Sequence, residues 1–338
     1  MINIDGQNGG GQLLRSALSL SLVTGQAFRM TGIRGLRKKP GLMRQHLTGV
    51  NASVEISGGS ADGAELGSTE LVFNPGAVLG GDYRYAIGTA GSACLLFQTL
   101  LPALMLAKDA STLRLEGGTH NPMAPTFDFL DECFLPQVRK MGAGVEIDLE
   151  RHGFYPAGGG VIHSRIAPCA ELHPLKLNAR GDVVSKSVRV LVAHVPEDVG
   201  RREGEAAVRF LSELGWSNDG ILVETVESSG PGNVVSIGCG FENVSEMTIA
   251  FGERGKSGKV VAKEAAKAMR DYLGTKAVVG RRLADQLLLP IALAGKGEFL
   301  TMAPSNHTRT NAELIAKFLD VEFAMEEVES GQWRVGLG

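Results

Sequence analysis

The sequence predicts an α/β protein of the α+β kind, built from three related units with one unrelated module set among them. Two segments carry the prediction. LLFQTLLPALMLAKDASTLRLEGGTHNP (residues 95–122) and LADQLLLPIALAGKGEFLTMAPSNHTRT (residues 283–310) share one plan: a helical apolar run holding Q-x-x-x-P, a short strand, and a polar loop with a histidine. The spacing from Gln98 to His120 is 22 residues and from Gln286 to His307 is 21. A third stretch, GGGQLLRSALSLSLVTGQAFRMTGIRG, repeats the plan more faintly, with 22 residues from Gln12 to Arg34 just past the strand AFRMTGI. Self-similarity at a fixed spacing marks one supersecondary unit used repeatedly.

Taken in order, the Gly-rich turns GGG (9–11) and GTAGS (88–92) precede equivalent helices. Each unit continues into a second helix, roughly 41–56, 125–141 and 311–319, with Pro40 placed to begin the first of these. Strand-like segments follow: ELVFNP; GVEIDL with GGGVIHSRI; VEFAMEEV with GQWRVGLG. The unit therefore reads helix–strand–helix–strand–strand, at about 1–80, 83–168 and 276–338. Residues 176–275 break the pattern with strand SVRVLVAHV, helix REGEAAVRFLSELG, strands ILVETV, NVVSIGC and SEMTIAF, and the amphipathic helix KVVAKEAAKAMRDYL. A large domain is expected at 1–175 plus 276–338, and a small inserted α/β domain at 176–275, between the second and third units.

Composition narrows the function classes. Hydrophobic content of 43% and charged content of 21% fit a soluble globular protein. The 45 glycines in 338 residues are about twice the usual share, which implies many tight turns and close backbone approaches. A net charge of -3 gives no global attraction to nucleic acid, so any polyanion site must be a local patch. Cys94, Cys133, Cys169 and Cys239 show no CxxC spacing and read as reduced thiols. No apolar run is long enough to span a bilayer, the N-terminus lacks a signal-like pattern, and a cytoplasmic location with no membrane association is expected.

Several residues are candidates for chemistry. RGLRKKPGLMRQH (34–46) holds Arg34, Arg37, Lys38, Lys39, Arg44 and His46 without one carboxylate, which suits phosphates or a solvated basic loop equally. GGGQLLR places three glycines before a helix with Arg15 one turn in, either an anion cradle or a plain tight turn. Asp285 and Gln286 interrupt an apolar helix and need partners there, as does Gln98. His152 and His163 are eleven residues apart, and neither HExxH, Cys/His clustering nor GxSxG occurs, so a metal triad or a serine hydrolase is not indicated. His307, at the mouth of a strand, can be a solvated loop residue or a nucleophile.

Together the segments DGQNGGGQLLRSALSLS, GIRGLRKKPGLMRQHL, AELGSTEL, AIGTAGSACLLFQTLLPAL, GGTHNP, RHGFYPAGGG, GPGN, LADQLLLPIALAG and PSNHTRTN resemble the RNA 3'-terminal phosphate cyclases, from residue 5 to residue 311. The resemblance implies three βαβαββ-type units, each a four-stranded sheet with two helices, and one small inserted α/β domain. It implies ATP-dependent conversion of an RNA 3'-phosphate to a 2',3'-cyclic phosphate, with ATP and Mg²⁺ or Mn²⁺ as cofactors, RNA bearing a 3'-phosphate end as partner, and no obligate protein partner. It makes His307 the nucleophile that takes AMP. It makes Gln98, Phe129, Arg282, Leu283, Ala284, Asp285 and Gln286 the ATP-binding positions, with Phe129 near the adenine. Arg15, Arg34, Arg37, Arg44, Gln45 and His46 become the contacts to phosphate and the RNA end.

Three departures stand out. Asn8 occupies the place of a glutamate that helps hold the metal in the family, and an amide is a poorer ligand for a hard cation. Arg282 stands where an aromatic residue is common, and His120 where an aspartate is common. Two other functions are compatible with parts of the pattern: a non-catalytic cyclase-like protein of RNA or ribosome assembly, against which His307 speaks, and an enolpyruvyl-type transferase of similar repeated units.

Overall fold

In the computed structural model, which describes all 338 residues, three four-stranded sheets share one strand order. The first unit runs β1 (Ile2–Asp5), α1 (Gly10–Thr24), β2 (Phe28–Thr31), α2 (Arg44–Ser57), β3 (Ser60–Asp62) and β4 (Leu71–Asn74). The second runs β5 (Asp82–Ala86), α3 (Ala93–Met105), β6 (Ser111–Gly117), a helix to be described below, β7 (Val145–Arg151) and β8 (Gly160–Ile166). That helix starts as α4 (Phe127–Phe129), passes through a π-helical turn at Leu130–Phe134 and ends as α5 (Leu135–Lys140). The chain then forms β9 (Leu175–Leu177) and enters a module of β10 (Val183–Ala193), α6 (Glu197–Leu211), β11 (Ile221–Thr225), β12 (Gly232–Phe241), β13 (Ser245–Phe251) and α7 (Gly258–Leu273). It returns with α8 (Arg281–Leu293), β14 (Gly297–Thr301), α9 (Asn306–Phe318), β15 (Ala324–Glu329) and β16 (Gln332–Leu337).

The orders β1-β2-β4-β3, β5-β6-β8-β7 and β9-β14-β16-β15 are the same order in all three units, first-second-fourth-third. In each, the first two strands are parallel and the rest antiparallel. The parallel pair needs a helical crossover, which is the first helix of each unit. The third unit differs from expectation in one respect. Its first strand, β9, lies before the inserted module and pairs with Gly297–Phe299 of β14. The module thus interrupts the third unit after its first strand instead of standing between two complete units, and residues 176 and 177 belong to the third sheet. LKL is too short to announce a strand by periodicity, and its partner lies far along the chain. The module's own sheet, β11-β10-β12-β13, has a different order.

Local sequence explains where the helices begin and end. α1 opens on glycines with no side-chain cap and ends at Gly25, whose φ of 69° lets its N–H return to Ser21 O. α3 is capped by Ser92, which accepts from Leu95 N–H at 3.2 Å. Pro102 in α3 and Pro290 in α8 have no N–H for the carbonyls four residues earlier, those of Gln98 and Gln286. The Q-x-x-x-P pattern therefore leaves a free backbone acceptor beside each glutamine.

Two helix starts depart from the sequence expectation. α2 begins at Arg44 and not at 41, because Gly41 has a φ of 78° and packs so closely on the Gly67 backbone that a Cβ there would lie 2.2 Å from Gly67 O. Pro40 consequently stands in the preceding turn. α9 begins at Asn306 and not at 311, because Ser305 Oγ accepts the N–H of Thr308 at 3.1 Å.

All four sheets share one hydrophobic core, to which the inserted module contributes Val188, Val190, Val235 and Ile237. Polar contacts also hold that module. Arg189 Nη1 donates to Asp128 Oδ1 (2.9 Å) and Glu132 Oε1 (2.7 Å) in the second unit, and Glu246 accepts Gly280 N–H (2.7 Å) at the head of α8. The four cysteines are free, three of them buried. No helix is long and apolar enough to cross a membrane.

Candidate active site

α1 packs against α3 and α9, and α8 packs against α9. This brings polar residues of the three units to one place. Gln12, in the first turn of α1, donates through Nε2 to Asp285 Oδ1 (2.8 Å) and Oδ2 (3.1 Å) of α8. A carboxylate accepts only, so the amide orientation of Gln12 is settled and its Oε1 points the other way. That oxygen bonds His307 Nδ1, at the second residue of α9. Because Gln12 Oε1 can only accept, Nδ1 must carry the hydrogen, and the lone pair of the neutral ring lies on Nε2. Asp285, Gln12 and His307 thus form a chain that fixes both tautomer and orientation of the imidazole. Burial pushes the Asp285 carboxyl pKa upward, against the bond from Gln12 and the nearby His307 and Arg15.

Gln98 Nε2 donates to Gln286 Oε1 at 2.7 Å, linking α3 to α8. Ser16 Oγ donates to Asn311 Oδ1 at 2.7 Å, and Asn311 Nδ2 reaches Asp285 O at 3.4 Å. Gln12, Arg15, Gln98, Asp285, Gln286 and Asn311 line a cavity of about 90 Å³ between these helices. A groove of about 810 Å³ lies elsewhere, between α9 and the segment around Asp320–Phe323, and none of these polar residues lines it.

Two residues of the basic block, Arg37 and His46, reach the head of α1. A Cβ on Gly10 would lie 3.0 Å from Arg37 Nη2, and one on Gly11 would lie 2.4 Å from His46 Nε2 and 3.2 Å from Arg15 Nη1. The free N–H groups of an uncapped helix start thus share their space with three cationic or N–H-bearing side chains. Burial lowers the Arg15 pKa to about 10, against the favourable charge of Asp285. Arg34 adopts a left-handed φ of 55° and donates to Gly41 O at 2.9 Å. Burial and the neighbouring Arg37 lower its pKa. Arg44, Lys38 and Lys39 are exposed.

The sequence profile of the family described as "RTC: RNA 3'-terminal phosphate cyclase" matches residues 7–325, nearly the whole chain. The chain belongs to the RNA 3'-terminal phosphate cyclase family. A curated relative from Koribacter versatilis (strain Ellin345), named RNA 3'-terminal phosphate cyclase, is 49% identical over 332 residues, covering 98% of this chain and 93% of its own. Among solved structures, EPSP synthase from Acinetobacter baumannii aligns over 99% of this chain with 11% identity and a TM-score of 0.32, too low to equate the two folds. This chain spans 64% of that protein's length.

The remaining positions that the cyclase resemblance marks are placed unevenly. Leu283 and Ala284 are buried, backbone included. Arg282 is exposed at the head of α8. Phe129 is 0% exposed and sits in the hydrophobic core, so its ring offers no face to an adenine in this conformation. His120 is likewise buried. It bonds Asp128 at 2.8 Å and Thr119 Oγ1 at 2.8 Å, well away from solvent. Burial would raise the Asp128 carboxyl, but the bond to His120 and the charge of Arg189 outweigh it and bring the pKa down to about 2.

Asn8 is exposed in the turn before α1. No three His, Cys, Asp or Glu side chains are arranged to hold a metal. The residues present therefore do not fit a dedicated divalent-cation site. Sequence reasoning did not single out Gln12 as a site residue, although the repeat placed it in register with Gln98 and Gln286.

Proposed function

We propose that the chain activates RNA 3'-phosphate ends with ATP and closes them to 2',3'-cyclic phosphodiesters through a covalent AMP on His307. The observation that carries this reading is the Asp285–Gln12–His307 chain, which leaves an Nε2 lone pair directed away from its support. In the first step His307 Nε2 attacks the α-phosphorus of ATP, an N–P bond forms, and the P–O bond to diphosphate breaks. The ring becomes cationic as it attacks, and Gln12 Oε1 and the Asp285 charge favour that state. In the second step an oxygen of the RNA 3'-phosphate attacks the same phosphorus and His307 leaves, giving RNA-3'-pp-5'-A. In the third, the neighbouring 2'-oxygen attacks the 3'-phosphorus and AMP departs, taking up the hydroxyl proton. The last step needs a 2'-hydroxyl and is therefore an RNA reaction.

Positioning and charge neutralisation dominate such transfers. Arg15, Arg37 and the free N–H groups at the head of α1 are suited to hold phosphoryl oxygens, while Gln98 and Gln286 border the space beside them. Mg²⁺ or Mn²⁺ would come bound to the nucleotide.

The test is incubation with α-labelled ATP and either metal, followed by denaturing electrophoresis. An acid-labile, alkali-stable label on the wild type and none on His307→Ala is expected. Equal labelling of a folded His307→Ala protein would exclude this histidine. No label on the folded wild type would leave RNA binding without catalysis as the better reading, in keeping with Asn8.

A further inference from the structure

The wall of the site continues past the head of α2 along three loops of the second unit. Ser92 N–H donates to Gln45 Oε1 at 3.1 Å, and a Cβ on Gly91 would lie 2.8 Å from that of Gln45, so the turn GTAGS (88–92) abuts the start of α2. Gly118 N–H bonds Gly91 O at 2.7 Å, and Asn121 Nδ2 donates to Ala90 O, which ties the turn to the loop after β6. The N–H groups of Thr119 and His120 bond Gly153 O at 2.8 and 3.0 Å, and a Cβ on Gly158 would lie 2.8 Å from Ala90 Cα. The loop RHGFYPAGGG (151–160) is therefore packed on the same turn.

That loop is tied down at several points and yet displays an aromatic ring. Buried Phe154 packs by His120 and His152, Gly158 N–H returns to Phe154 O at 2.7 Å, and Arg151 Nε donates to Gly159 O at 2.6 Å. Between these fixed points Tyr155 turns outward, 66% exposed. Met123, 92% exposed, projects from the neighbouring loop, three residues after His120, which is bridged to Phe154. The charge along this strip is one-sided. Residues 32–49, 87–92, 117–127 and 151–160 contain no aspartate or glutamate, although the chain has 37 of them, and Lys38 and Lys39 stand exposed at the α2 end. A path without acids, leading from a cationic site to an exposed ring, combines the two features that bind single strands without regard to sequence: positive charge for the backbone and a π-face for a base.

We propose that Tyr155, with Met123 on the adjoining loop, is a stacking platform for one base upstream of the terminal nucleotide, and that the acid-free strip from Lys38 and Lys39 to the Tyr155 loop carries the RNA backbone between them. This rests on the cyclase reading above and extends the RNA contact beyond the reacting end. Every base has a π-face, so the platform accepts any sequence. An unbranched thioether adapts its shape to whichever base arrives. A mononucleotide end reaches His307 without touching the platform, whereas a longer strand gains affinity from it. Tyr155 thus makes the enzyme select for strand length and not for base identity.

The test pairs a change in the protein with one in the RNA. Tyr155→Phe keeps the face of the ring and Tyr155→Ala removes it. The probes are a short 3'-phosphorylated oligoribonucleotide and a set of its copies with one abasic site at each position behind the terminal nucleotide. Tyr155→Ala should lose about 5- to 150-fold in kcat/KM for cyclisation, through KM, with Tyr155→Phe within about twofold of the wild type. An abasic site at one position should cost the wild type a similar factor and cost Tyr155→Ala almost nothing further, the mark of two groups that act as a pair.

A wild-type KM in Tyr155→Ala, or equal losses in Tyr155→Ala and Tyr155→Phe, would overturn the proposal. So would abasic losses that are the same in the wild type and Tyr155→Ala at every position. Impaired adenylation of His307 by α-labelled ATP without RNA in Tyr155→Ala would overturn it too, by assigning the ring to the nucleotide. If the wild type does not adenylate at all, the cyclase reading fails separately, and fluorescence anisotropy with the same oligonucleotides decides the platform. Weaker binding by Tyr155→Ala that one abasic site reproduces in the wild type supports it, and binding that does not depend on Tyr155 overturns it.

Discussion

Gln12→Leu is the sharpest test of the histidine's support. Leucine keeps the bulk of the side chain in the half-buried first turn of α1, but it removes the acceptor for His307 Nδ1 and the donor to Asp285. On the proposed mechanism, the bond to His307 matters most once the ring is cationic, in the transition state for attack on ATP. A hydrogen bond involving a charged partner contributes about 1.5–3 kcal/mol. At 1.36 kcal/mol per factor of ten, its loss slows the first step by about 10- to 150-fold. Asp285 adds to the effect. Its carboxyl, already raised by burial, loses the bond that holds it down, so it supports the cation less. The assay is single-turnover formation of the labelled adenylate at saturating ATP, with thermal unfolding as the control for folding. A folded Gln12→Leu protein adenylating within about twofold of the wild-type rate would refute the claim that this chain orients the nucleophile.

Three further outcomes follow from particular residues. Gly11→Ala should be tolerated by α1, even stabilising it by up to about 1 kcal/mol, yet the new Cβ would lie 2.4 Å from His46 Nε2. The buried His46 ring, which caps α2, must shift to make room, so Tm should fall modestly while cyclisation falls at least about tenfold, and wild-type cyclisation would show that the head of α1 is not the phosphate site. Burial pushes the Glu246 carboxyl from 4.5 up to about 7, against the N–H groups of Gly280 and Met247. Between those values the folded protein holds a proton that the unfolded chain has released. The stability it lends below pH 4.5 is therefore lost as pH rises through 7, a fall of about 3 kcal/mol. Urea unfolding at pH 4.5 and pH 8 should show a smaller fall in Glu246→Gln than in the wild type, and equal falls would contradict the assignment. Phe129→Ala should cost about 3–5 kcal/mol of stability. If Phe129 stacked on adenine instead, the change would raise the KM for ATP with little loss of urea stability.

How much of this was legible in the sequence depends on whether the information is local or lies between units. The repeat is local: Q-x-x-x-P, a short strand and a polar loop recur at fixed spacing, and three sheets of one strand order resulted. What the repeat could not give is which of its equivalent positions meet. Gln12 bonds side chains 273 and 295 residues away, and no periodicity specifies such partners. The start of α9 is not legible locally, because residues 304–310 have the polar composition of a loop. In fact Ser305 is a cap, and His307 belongs to the first turn of the helix. β9 is not legible either, because three residues carry almost no pattern.

Equivalence in sequence also does not survive as equivalence in role. Arg34, His120 and His307 each follow the second strand of their unit. Yet Arg34 flanks the head of α1, His120 is sealed against Asp128, and only His307 faces a partner that leaves a nitrogen free. The glutamines diverge in the same way. Gln98 and Gln286 bond each other across α3 and α8, which leaves Gln12 unmatched among the three and available to the histidine. With three like positions around one centre, pairing any two necessarily leaves a third. Here that third residue is the one whose amide, held by Asp285, fixes the hydrogen on His307 Nδ1. On the proposed reading, the asymmetry a nucleophile needs arises from the odd number of repeats, and replacing Gln12 is the change that should be felt first in the adenylation step.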